Sequence, residues 1–199
     1  MSNVIGIVNY GAAGNIHSVE VAVKKAKANT LIINKAEQFN SVDKIILPGV
    51  GSYKDAILNL KAKDLFGALQ INKKPILGIC LGMQILSKIG FEYGKTNGLG
   101  LIEAEVRPMV VDAKVPHVGF NSIEIIKKSN LFKGLDNKEF YFMHSFEVVN
   151  YTDVVSLTQY YGHKFVSSIE KENIYGVQFH PEKSREAGIE LLKNFINLN

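Results

Sequence analysis

A chain of 199 residues that is 46% hydrophobic can bury the core of one domain of somewhat above average size, which excludes a disordered or low-complexity polypeptide. Its net charge of +4 comes from scattered lysines, in runs no longer than a pair or so and with no tryptophan, which argues against a nucleic-acid surface. The single cysteine excludes an internal disulfide and a cysteine-based zinc cluster, and no run approaches the ~18 apolar residues that a membrane span needs.

The N-terminal residues run straight into an apolar stretch without the basic segment or cleavage site of a signal peptide, so a cytoplasmic protein is expected. Residues 4–10, 30–34, 44–50 and 75–80 are continuous apolar runs of the kind that form buried parallel strands. Between them, 15–28 carries Ile16, Val19, Val23 and Ala26 at helical spacing, and 52–69 opens on Ser52 three residues before Asp55, a capping box. A further helix is expected over 81–90. This alternation predicts an α/β fold: an open, mostly parallel central sheet with helices on both faces. In the C-terminal half, 101–106, 118–126, 139–149, 153–161, 164–170 and 174–179 read as strands separated by turn residues, an antiparallel extension of the sheet. A last helix from Ser184 places Gly188, Leu191, Leu192 and Phe195 on one face. No linker or repeat divides the chain, so one domain over 1–199 is expected.

The lone thiol, Cys80, could be a small buried filler or a reactive group. Its setting, "GICLG" at 78–82, decides for the second: a nucleophile flanked by glycines after a strand and before a helix is the arrangement of a nucleophile elbow. A helix N-terminus favours thiolate, and the backbone N–H of Leu81 faces any oxyanion formed by attack. A cysteine nucleophile needs an imidazole, and a carboxylate to orient it. Of five histidines, His17 and His163 read as solvated or capping residues, and His117 and His144 as hydrogen-bonded core or rim residues. His180 stands apart, at the end of an apolar run in "QFHPEKS". Glu182, two residues on, would share its side of an extended chain, giving a Cys80-His180-Glu182 triad. "LPGVGS" at 47–52 ends another parallel strand on the edge where ligands bind. It is either a plain strand-to-helix turn or a second oxyanion donor.

With these motifs, and with "NYGAAGNIHS", "GLGLI", "VPHVGFN" and "YFMHSF", the whole chain resembles the class I (triad) glutamine amidotransferases. The likeness is strongest to the glutaminase subunits of imidazole glycerol phosphate synthase. It implies that Cys80 attacks the side-chain amide of glutamine, that His180 shuttles the proton and that Glu182 orients it. It also implies an oxyanion hole from Gly49, Val50 and Leu81, and glutamine contacts from Gln84, Glu92, His144, Ser145 and Phe146. The implied partner is a separate (β/α)8-barrel cyclase subunit in a heterodimer, with no metal or organic cofactor. Departures from the family pattern are Asn9 with one extra residue in "NYGAAGN", Val118 and Phe120 in "PHVGFN", and Phe146 in place of a tyrosine. They leave open a paralogue that feeds ammonia to another acceptor, such as a nucleotide-sugar amidating enzyme of surface-glycan synthesis.

Overall fold

The computed structural model describes residues 3–11 and 15–198. In chain order the elements are β1 (Val4–Val8), α1 (Ile16–Lys25), β2 (Asn29–Ile33), β3 (Lys44–Leu47), α2 (Tyr53–Ala62), α3 (Leu65–Gln70), β4 (Ile76–Ile79) and α4 (Leu81–Ile85). Then come β5 (Ser87–Gly90), β6 (Thr96–Asn97), β7 (Ile102–Pro108), β8 (His117–Ser122), β9 (Glu124–Ile125) and β10 (Glu139–His144). The chain closes with β11 (Phe146–Val149), β12 (Val154–Tyr160), β13 (His163–Lys171), β14 (Ile174–Val177) and α5 (Arg185–Ile196).

The central sheet has eight strands in the order β2-β1-β3-β4-β14-β13-β12-β9. The run from β2 to β14 is parallel, and β13, β12 and β9 extend it antiparallel. Alternation along each parallel strand feeds two cores. Ile5, Ile7, Ile46, Leu77 and Ile79 face α1 and α5 through Val19, Val23, Leu191 and Phe195. Val8, Ile45, Leu47 and Ile76 face the other layer, where α2, α3 and α4 supply Ile57, Leu60, Leu69 and Met83. The predicted helices therefore do cover both faces.

Four expectations are corrected. The predicted helix over 52–69 is two helices, separated where Asp64 takes a left-handed φ of 57°. The helix expected over 81–90 stops at Ile85, because the Ile85 and Leu86 carbonyls accept Leu99 N (2.9 Å) and Leu101 N (2.9 Å) rather than the next helical turn. The run 139–149 breaks at Ser145 into β10 and β11, which belong to different sheets. Consequently not every C-terminal strand extends the central sheet: β11-β7-β5-β6 forms a separate layer, and β8 and β10 pair only with each other.

The N-terminal motif is only partly described. Asn9 donates through Nδ2 to Asn34 (2.8 Å), whereas the extra residue falls at 12–14, outside the described residues.

Candidate functional site

Cys80 sits between β4 and α4 with φ 51° and ψ −107°, a conformation that costs a non-glycine residue about 1–3 kcal/mol. Its backbone is held there from both sides: Cys80 N donates to Val177 O (2.8 Å) on β14, and Cys80 O accepts Gln84 N (3.1 Å). The turn closes only because its neighbours lack side chains. A methyl on Gly78 would lie 2.6 Å from the Gly82 carbonyl carbon, and one on Gly82 or Gly49 would meet backbone as well.

β14 runs beside β4, so its end delivers His180 to the sulfur from the adjacent strand. His180 Nδ1 and Glu182 Oε1 are 2.8 Å apart, and both side chains are fully shielded from solvent. The contact does not arise from an extended H-P-E segment as expected. Pro181–Lys183 is a 3-10 turn that folds Glu182 back onto the ring. Gly188 on α5 makes room for that turn, since a methyl there would meet Pro181 backbone. Burial alone would lower the imidazole, but Cys80 and then Glu182 outweigh it and push His180 up to about 10. Its other nitrogen, Nε2, is buried without a hydrogen bond.

A cavity of about 360 Å³ opens in front of the sulfur. Gly49, Val50, Cys80, Leu81, Gln84, Glu92, His144, Ser145 and Phe146 line it, which is every predicted site residue other than His180 and Glu182. Those two do not line it. Ser52 caps α2, accepting from Asp55 N at 3.2 Å, so the loop 48–52 is a helix-capping turn and at the same time a wall of the cavity. Tyr10 Oη donates to the Pro48 carbonyl and fixes the loop from beneath.

Of the side chains named for glutamine contact, Gln84, Glu92 and His144 are already engaged within the protein. Glu92 Oε2 accepts Tyr53 N (2.6 Å) at the start of α2. His144 Nδ1 donates to the Phe146 carbonyl (2.9 Å), which also accepts Gln84 Nε2 (3.0 Å). His117 Nδ1 lies 3.3 Å from His144 Nε2. Burial drives the His117 ring down to about 4 and the His144 ring down to about 3, so this pair is neutral. His117 and His144 are therefore buried, as read from their strands. His163 is not simply solvated: it pairs with the buried Glu147 carboxylate at 2.9 Å.

The sequence reading missed Gln178. It is fully buried, with Nε2 3.5 Å from Cys80 Sγ and Oε1 3.1 Å from Gln84 Nε2. Strand alternation could have found it, because Gln178 and His180 share a side of the chain while Phe179 between them packs on Phe140 in the core.

Among the described residues no group of three or more His, Cys, Asp or Glu side chains could hold a metal, and no helix is long and apolar enough to cross a membrane. The arrangement is suited to nucleophilic attack on a carbonyl inside a small cleft.

Comparison with known proteins agrees with this chemistry. Residues 6–198 match the family described as glutamine amidotransferase class-I. "Imidazole glycerol phosphate synthase subunit HisH 1" of Campylobacter jejuni strain RM1221 is 47% identical over 201 residues, covering 98% of this chain and 100% of that protein. The HisH subunit of Methanocaldococcus jannaschii is 41% identical, covering 98% of this chain and 99% of its own length. The crystal structure of a Thermoplasma acidophilum protein described as a GMP synthase subunit superposes with a TM-score of 0.77 at 22% identity, covering 98% of this chain and 93% of that one. PurLQS from Thermotoga maritima gives 0.75 at 18% identity, covering 99% of each chain. Both share the fold.

Proposed function

We infer the function from the premise that this chain belongs to the class-I glutamine amidotransferase family: it is the glutamine-hydrolysing subunit of an imidazole glycerol phosphate synthase, working in histidine biosynthesis. The observation that carries the chemistry is a cysteine lining the cleft together with a sealed His180–Glu182 pair.

In this reading the Cys80 thiolate attacks the side-chain amide carbon of glutamine, and the N–H groups of Leu81 and Val50 receive the oxyanion. The imidazolium of His180 gives its proton to the departing nitrogen, ammonia leaves, and a glutamyl thioester remains. His180 then takes a proton from water, the hydroxide breaks the thioester, and glutamate is released with the thiolate restored. Glu182 holds the ring and stabilises its charged form. Gln84, Glu92 and the segment His144, Ser145 and Phe146 hold the amino-acid end of the substrate. The whole described chain works as one glutaminase domain, without a metal or organic cofactor, in the cytoplasm.

The ammonia acceptor is a separate polypeptide, and we assign it as a (β/α)8-barrel cyclase. The test is glutamine hydrolysis by this chain alone, then with the cyclase and its acceptor substrate. A rise of tenfold or more, about 1.4 kcal/mol in the barrier, is expected. Cys80→Ala should abolish glutamine-dependent turnover while the partner still uses free ammonia. Full activity of the isolated chain would refute the coupling. Stimulation by a sugar-amidating enzyme and not by the cyclase would transfer the assignment to the paralogue.

A further inference from the structure

We propose that Gln178 is a further catalytic residue, whose carboxamide donates a hydrogen bond to the Cys80 sulfur and holds it ready for attack; this rests on the reading of Cys80 as the nucleophile.

The direction of the hydrogen bond follows from a backbone atom. The Phe146 carbonyl can only accept, so Gln84 must present Nε2 to it, at 3.0 Å. The same nitrogen lies 3.1 Å from the Gln178 carboxamide, which must therefore turn its oxygen toward Gln84. Gln178 Nε2 is then left facing Sγ at 3.5 Å. His144 reinforces the starting point by donating to the same carbonyl. A flipped Gln178 would set nitrogen against nitrogen and oxygen against sulfur inside a site sealed from water, so the neighbours exclude it.

Two contacts compete for the sulfur. As a thiol it donates to the Met143 carbonyl at 3.7 Å, a contact that thiolate loses. The Gln178 bond has the opposite preference, since an N–H donor interacts more strongly with an anion than with a neutral sulfur. The titratable groups that interact electrostatically with the sulfur are His180 and Tyr10, whose hydroxyl is raised by burial and by Cys80. α4 spans only Leu81–Ile85, too short to supply a strong dipole, so side-chain donation carries more of the work than the elbow motif suggests.

Cys80 is the sole cysteine, so alkylation by iodoacetamide reads one group. Gln178→Met removes the donor at similar volume. It should displace the alkylation rate–pH profile toward alkaline pH and lower kcat for glutamine about tenfold or more, with KM changed less than about twofold. Gln178→Glu sets an acceptor beside the sulfur and should displace the profile further in the same direction. An unchanged profile in folded variants overturns the proposal, as does a rise in KM alone, which would make Gln178 a substrate contact. If both variants fail to fold, the side-chain amide protons of Gln178 in the unmodified protein decide the matter. One of the two should shift on thiol ionisation, and no shift overturns the proposal. Failure of the nucleophile reading looks different: alkylated protein would still hydrolyse glutamine.

Discussion

An imidazole sealed from water keeps its proton only while negative charge persists beside it. At His180 burial works against the proton, and the Cys80 sulfur and the Glu182 carboxylate restore it. Cys80→Ala removes the larger restoring influence, so the His180 ring should titrate at a clearly lower pH in that variant, as read by NMR of its carbon-bound protons. Stability follows the same sign. A histidine raised from 6.5 to about 10 contributes fully below pH 6.5, and the contribution is lost as pH rises through about 10. The urea midpoint of the wild-type protein should fall across that window, and fall less in Cys80→Ala. Gln84 and Gln178 form a second residue-scale unit. Because each orients the other, Gln84→Met and Gln178→Met should combine non-additively in kcat, with a coupling of about 0.5–3 kcal/mol by double-mutant cycle.

Among the elements, the interlock of β3, β4 and α4 depends on glycines that no side chain can replace. Gly82→Ala drives a methyl into the Leu47 backbone, which cannot yield as a flexible side chain would. The variant should lose about 1–3 kcal/mol in chemical denaturation, together with the elbow's activity. This glycine pattern is why the strand, elbow and helix start were legible in the sequence: the steric demand is local and names its own residues. The end of α4 was not legible. Its continuation through Ser87 and Lys88 suits a helix, but Leu99 and Leu101 take the carbonyls from twelve or more residues away. The break at Ser145 was hidden for a similar reason, since the apolar residues Phe140, Phe142, Phe146 and Val148 alternate in sequence as a single strand would, while their separate partners part β10 from β11. Cys80 and His180 could be singled out because each follows the end of an apolar strand. Their adjacency through β4 and β14 is a matter of sheet order, which periodicity does not encode.

For the whole molecule, two of the departures from the family pattern, Val118 and Phe120, are exposed on β8, whereas Phe146 lines the cavity. Phe120 lies against Tyr141, with ring centroids 5.5 Å apart, and Arg185 covers its other face at 4.3 Å. Val118, on the same side of β8, is also exposed. Phe120→Ala strips the aromatic anchor from this patch without touching the cleft. On the proposed cyclase partnership, with the segments that depart from the family pattern lying near the partner, it should weaken association with the cyclase at least tenfold by titration calorimetry and leave hydrolysis by the isolated chain unchanged.

The β8–β10 pair joins no other strand, and its backbone ties run to His180 and Cys80. Tyr141 O accepts His180 N at 2.8 Å, Tyr141 N bonds Ser184 Oγ at 2.9 Å, and two residues further along Met143 presents its carbonyl to the Cys80 sulfur. Mechanically this ribbon is a cross-brace. Phe120 stands opposite Tyr141 and Val118 opposite Met143, so the exposed side chains of β8 sit directly across from the two residues whose backbone meets His180 and Cys80. A load on β8 therefore bears on the seat of the imidazole and on the acceptor of the thiol together, through positions two residues apart on one strand.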